Sequence, residues 1–353
     1  AAGARLAGLW KMMGLRPKLE EMAKGREAGS VRVAAFDGLA NFSDKDSVAF
    51  LKRQSASGES IMSRGMAVAA LASVDPVAAA SYAVELLGRK QGFDPRPVFS
   101  AFLSRQGGAA ALSSALETKK IDQDVARVGI RLTEPRRAPG DAVGPESQLI
   151  QALRKAAGFS GGPRKLDEKE VARLSRAVVE RGDPARGEEL YHSGELACLK
   201  CHAIGGAGGL VGPDLSSIGT TAQLDYLIDS IFDPNKAVKE NYHSTTVVTK
   251  DGRVLTGIKL REAGSELILR DSEGGELPVR RDNIARRSMG GSLMPSGLTD
   301  SLTSDELRDL LRFLSEIGKI GNYSVGKTPF ARRWRVLEKV PPGLGSAGEL
   351  SPV

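Results

Sequence analysis

Histidine, cysteine and aromatic residues are scarce in this chain. Among its 353 residues there are 3 histidines and 2 cysteines, and only 5% are Phe, Trp or Tyr. Both cysteines fall in one pentapeptide, Cys198-Leu199-Lys200-Cys201-His202, so the rest of the chain offers no disulfide framework. No stretch approaches the roughly 18 consecutive apolar residues of a membrane span. The chain opens at Ala1 without an initiator methionine or the apolar stretch of a signal peptide, which reads as a mature or excised piece of a longer protein. Long Lys/Arg blocks with interleaved aromatics are missing, so nucleic-acid binding finds no support. No Ser/His/Asp set, phosphate loop or carboxylate pair stands at a useful spacing, which leaves hydrolysis and phosphoryl transfer without a candidate site.

The rest of the composition is that of an ordinary soluble protein, with 41% hydrophobic and 26% charged residues. Glycine (41 residues) and alanine abound, favouring closely packed helices over a large aromatic core. The net charge of +7 is mild for this length, and suits attraction of an acidic partner.

A repeat runs through the first half. Arg32, Arg64, Arg96 and Arg127 each head a segment of small apolar residues, at successive spacings of 32, 32 and 31 residues. Stacked helical hairpins give a period of this size, and the pattern resembles a short HEAT-like α-solenoid. Val33, Ala34, Phe36, Leu39, Met66, Val68 and Leu71 are then core residues. Pro and Gly mark 135–145 as a loop, a helix is expected over Leu149–Ala157, and 159–163 reads as a linker.

The texture changes at Asp183-Pro184, an N-cap acid followed by proline at the first helical position. That helix leads into the cysteine motif and a glycine-rich stretch, Gly205 to Gly212. Leu224, Leu227, Ile228, Ile231 and Phe232 then line one face of a helix. Residues 243–288 turn to β character, with hairpin turns at Asp251-Gly252 and Glu273-Gly274-Gly275, and suggest a small barrel or meander. A last helix begins at a capping box, Thr303 and Glu306, buries Leu307, Leu310, Leu311, Leu314 and Ile317, and stops at Gly318.

C-x-x-C-H is the spacing of a c-type haem attachment site, in which both thiols form thioethers and the histidine ligates iron. The same spacing occurs in half of a zinc site, but neither His192 nor His243 is placed to complete a closed set. It also occurs in redox dithiols, but the βαβ setting is missing. A second axial ligand is expected from a loop before the last helix, and Met294-Pro295 stands there. Methionine opposite histidine favours ferrous iron. Met289, placed in a glycine-containing loop, is the competitor; Pro295 stiffens the loop and favours Met294.

These features resemble class I cytochromes c. More narrowly, 182–219, 230–242, 247–258 and 292–314 together resemble the haem-binding domains of planctomycetes and verrucomicrobia, with the motifs in the family's order over about 180–318. The resemblance implies a mainly α chain. It would hold a HEAT-like repeat domain (1–160), a linker and short helix (161–182), a cytochrome c-like haem domain (183–320) with a β insertion at 243–288, and a tail (321–353). It implies one covalent haem c on Cys198 and Cys201, iron held by His202 and Met294, and the Pro213 carbonyl bonded to the other ring nitrogen of His202. Gly187 and Tyr191 would cross closely with Phe313.

The implied function is electron transfer in a periplasmic or otherwise exported setting, between donor and acceptor redox proteins. An upstream sugar or alcohol dehydrogenase-like unit is the expected donor, so any catalysis lies outside this chain. A haem enzyme or gas sensor with a labile Met294, and a solenoid scaffold with a structural haem, are the alternatives.

Overall fold

Acidic and hydroxyl residues begin helices by accepting hydrogen bonds from the backbone N–H groups that a first turn leaves unpaired. The computed structural model describes residues 1–58, 60–89, 94–134, 144–159, 165–193, 196 and 198–325. Most of the loop expected at 135–145, of the linker at 159–163 and of the tail, including 330–337, therefore lies outside the described residues. The described chain is mainly helical, with a small antiparallel sheet.

Among the described residues ten α-helices come first: α1 (Ala2–Leu9), α2 (Arg16–Lys24), α3 (Gly29–Phe42), α4 (Lys45–Ser57), α5 (Ile61–Ala72), α6 (Pro76–Leu87), α7 (Arg96–Leu103), α8 (Gly108–Leu116), α9 (Gln123–Thr133) and α10 (Pro145–Ala156). Asp44, Ser60, Asp75 and Asp122 cap α4, α5, α6 and α9. The four repeating arginines fall on α3, α5, α7 and α9. Those helices pack against one another in order, and α4, α6, α8 and α10 do the same. Two of the arginines have a shared task. Arg32 Nε donates to Ala23 O (3.2 Å) in the last turn of α2, and Arg64 Nε to Ser55 O (3.0 Å) in the last turn of α4. Each satisfies a carbonyl that the helix end leaves open. Arg96 instead turns to Asp94, and Arg127 pairs with Asp124 and lies over the Phe159 ring. Ala34, Phe36, Leu39, Val68 and Leu71 are buried as expected, while Val33 and Met66 are only half-buried.

The chain continues with α11 (Glu168–Arg181), whose 14 residues begin at an Asp167/Glu170 capping box, and α12 (Pro184–His192), capped by Asp183. Next come α13 (Cys198–Cys201), β1 (Ala203–Ile204), β2 (Ala207–Gly208), α14 (Ile218–Thr221) and α15 (Leu224–Phe232). The sheet is built from β3 (Ser244–Thr249), β4 (Val254–Ala263), β5 (Glu266–Arg270), β6 (Glu276–Arg280) and β7 (Ile284–Met289), and α16 (Ser304–Glu316) follows.

Strand order is β6-β5-β4-β3-β7, all antiparallel: a four-strand meander with β7 returning beside β3. The turns at Asp251-Gly252 and Glu273-Gly274-Gly275 join β3 to β4 and β5 to β6 as expected, with Gly252 and Gly274 at positive φ. Among the described residues no ladder joins β6 to β7, so of the two expected forms the meander is the one observed. Val247, Leu267, Leu269 and Val279 form its small core.

The chain divides into two compact units. One comprises Ala1–Leu196, Leu224–Ala237 and Met294–Phe313; the other comprises Ala197–Gln223, Val238–Leu293 and Leu314–Val353. The first unit thus takes in α15 and most of α16 together with the helices that come before Leu196.

Candidate functional site

In the first unit, α12 and α16 cross at Gly187. A Cβ there would lie 2.0 Å from Asp309 O and 2.7 Å from Phe313 Cβ, so only glycine allows this approach. The rings of Tyr191 and Phe313, both fully buried, meet with centroids 5.6 Å apart. The buried Asp309 carboxylate accepts from the Asp183 backbone N–H at 3.0 Å and pairs with Arg308 Nη2 at 3.2 Å. One acid on the last helix thus ties down the start of α12.

The same unit holds the capping box. Thr303 N–H donates to Glu306 Oε2 (2.9 Å), and Glu306 N–H donates back to Thr303 Oγ1 (3.3 Å). Eight residues (295 to 302) separate Met294 from Thr303, where α16 is entered; Met294 is in irregular backbone and is half-buried. Met289 is not in a loop. It ends β7 opposite Thr245, with 77% of its surface exposed. The β-branched and basic residues before it extend the ladder one step further than the glycines around 290 suggested.

In the second unit, the cysteine motif forms the single turn α13, with His202 N–H donating to Cys198 O (2.9 Å). One turn of helix puts Cys198 and Cys201 on the same face. The following loop folds back over that turn. Gly209 N–H donates to Leu199 O (2.8 Å), Gly212 N–H to Cys201 O (2.7 Å) and Leu215 N–H to Ala203 O (2.8 Å). Glycine is required at 209, where a Cβ would lie 1.8 Å from Lys200 O.

Gly212 meets the imidazole itself. A Cβ there would fall 2.4 Å from His202 Cε1 and within 2.8 Å of both ring nitrogens. His202 Nδ1 stands 2.8 Å from Pro213 O. A carbonyl only accepts, so Nδ1 carries the proton and Nε2 the lone pair. Burial lowers the His202 pKa, against the Pro213 carbonyl, which favours the charged ring. The neutral, ligand-competent imidazole is therefore favoured. The thiols are also held neutral: burial pushes Cys198 up to about 11 and raises Cys201 to a smaller extent. A redox dithiol needs the opposite shift in its attacking thiol.

The inserted sheet reaches this motif. Lys200, between the two cysteines, pairs with Glu273 in the β5–β6 turn at 2.6 Å, and Arg270 Nη1 donates to Leu210 O at 2.8 Å. The ion pair is exposed and contributes little energy, so its information is positional. Among the described residues no group of three or more His, Cys, Asp or Glu side chains is arranged to hold a metal ion.

Of the residues singled out in the sequence, Cys198, Cys201, His202 and Pro213 come together in one unit; Met294 is counted with the other. Within their unit, Cys198, Cys201, His202 and Pro213 are residues that could hold a haem. Gly212 was missed: the signal was present in Gly-Pro-Asp-Leu, but its role depends on where the ring lies. Glu273 and Arg270 gave no local signal. No protein-family model matches the chain, and no curated protein does either. Among the described residues no helix is long and apolar enough to cross a membrane.

Proposed function

We propose that this chain is a c-type cytochrome electron-transfer protein carrying one covalent haem, with Cys198 and Cys201 as thioether sites, His202 as proximal ligand and Met294 as distal ligand. The observation that carries this reading is the His202–Pro213 bond at 2.8 Å, with the ring in space that only a glycine at 212 leaves open. A histidine serving as a metal ligand is typically oriented through its other nitrogen in this way. The close α12–α16 crossing at Gly187, Tyr191 and Phe313 adds the packing that the resemblance to class I cytochromes c implies.

The haem, when bound, supplies an iron that cycles between ferric and ferrous. The protein residues do the rest. Pro213 O keeps the proton on Nδ1, so Nε2 is the neutral donor that would hold the iron. Gly212 leaves the ring room to lie in a fixed plane. Pro295 stiffens the segment that presents Met294. With His202 and Met294 both serving as ligands, a bound haem iron would be closed to small molecules, and transfer of electrons between proteins would be its task.

The paired ranks α3–α5–α7–α9 and α4–α6–α8–α10 support the HEAT-like solenoid reading of 1–160, a surface for docking a redox donor or acceptor. An upstream dehydrogenase-like unit remains the proposed donor. Thioether attachment in the families this chain resembles takes place outside the cytoplasmic membrane, so the proposed location is periplasmic or otherwise exported.

The test is the ferric spectrum of protein matured with c-type haem machinery. The wild type is expected to show the weak far-red methionine-to-iron band, and Met294→Ala to abolish it. Loss in Met289→Ala instead would overturn the ligand assignment. High-spin iron that binds carbon monoxide readily would favour a haem enzyme or gas sensor.

A further inference from the structure

Two side chains of α9, Arg131 and Asp124, grip the entrance of α16, and a third, Arg127, holds Asp124. Arg131 Nη1 and Nη2 donate to Glu306 Oε2 (3.0 Å) and Oε1 (2.9 Å), a two-pronged ion pair. Both partners are about four-fifths shielded from solvent, with side-chain exposures of 18% and 21%. Glu306 is the acid of the capping box, so the oxygen that Arg131 holds also accepts the Thr303 N–H and the Thr303 hydroxyl. One residue on, Asp124 Oδ1 accepts the Ser304 N–H (2.9 Å) and the Ser304 hydroxyl (3.1 Å), while Arg127 Nη1 holds the same oxygen at 2.7 Å. The N–H groups of 303 and 304 are thus both satisfied by carboxylates that α9 supplies or fixes. Planar, two-pronged pairing transmits geometry as well as charge, which a lysine in place of Arg131 would not do.

The segment that enters this grip runs from Met294 to Leu302. Its downstream half is anchored, with Thr299 and Leu302 buried and Leu302 N–H donating to Thr299 O (3.0 Å). Its downstream end at 303–304 is fixed by side chains of α9 that lie 175 and 180 residues from their partners in the chain. We infer that Arg131 is a positioning residue for the methionine loop: through Glu306, and alongside Asp124, it fixes where Met294 is presented. The helical repeats then act as part of the haem-ligating apparatus as well as a docking surface. This inference rests on the proposed reading of Met294 as the distal ligand.

The experiment compares wild type, Arg131→Ala, Arg131→Lys and Glu306→Gln as haem-loaded full chains. Imidazole is the probe, since it competes with a methionine ligand. Arg131→Ala is expected to weaken the far-red methionine band and to raise imidazole affinity by about tenfold, the effect of losing one strong charge-assisted contact. Arg131→Lys, which keeps charge without the fork, should fall between. Amide exchange over 294–303 should quicken in Arg131→Ala, a readout independent of the iron. Unchanged band, imidazole affinity and exchange alongside a lowered melting temperature would overturn the inference and leave Arg131 as a purely structural tie. A wild type without the methionine band would instead overturn the distal-ligand assignment, and the inference with it; the two failures are therefore distinguishable.

Discussion

Gly212 and His202 show how a single missing side chain defines the candidate site. The imidazole occupies the space that a side chain at 212 would need, and its Nδ1 proton is held by Pro213 O, so a change of tautomer would lose that bond. Gly212→Ala forces the ring or the loop to move and is expected to cost about 1–3 kcal/mol, as overpacking at a close contact does. The fraction of chains loaded with haem should fall with it. Denaturant unfolding and the haem-to-protein ratio check this; wild-type values for both would remove Gly212 from the account. The attachment motif itself was legible because its spacing is short and its residue types are rare. Gly212 was not, since many glycines lie between 205 and 212 and only the position of the ring distinguishes one of them.

At the scale of elements, α16 illustrates local and distant control together. Its capping box, apolar face and Gly318 stop are all local in sequence, and all are present in the structure. The sheet was legible for the same reason, since its glycine turns lie between short apolar strands. Met289 was misplaced because strand ends depend on the partner strand, here β3. The ties to α9 are the illegible part, because residues 175 apart carry no mutual signal.

They make a pH prediction. Burial pushes the Glu306 carboxyl up, but the Arg131 side chain and the Thr303 N–H outweigh it and hold its pKa below the ordinary 4.5. A carboxylate with a lowered native pKa stabilises the fold above its ordinary pKa and loses that contribution as pH falls through the lowered value. Wild type should therefore exceed Glu306→Gln in stability at pH 7, with the gap closing well below pH 4.5. Denaturant melts at neutral and acid pH read this directly. A gap that persists at acid pH would show that Glu306 acts by shape alone.

Across the whole molecule, the predominance of helix and the small antiparallel sheet were legible from hydrophobic period and turn glycines. They did not reveal that α15 and most of α16 are counted with the repeats, because Gly187, Asp309, Arg131 and Glu306 meet only after folding. The chain has two cysteines, both in one motif, so the whole molecule takes either one covalent haem or none. The intact mass of the denatured protein, after production with c-type maturation machinery, decides between them. The account predicts a gain of one haem per chain that survives denaturation and disappears when Cys198 and Cys201 are both changed to alanine. A polypeptide mass with no haem, from cells whose other c-type cytochromes mature normally, would contradict it.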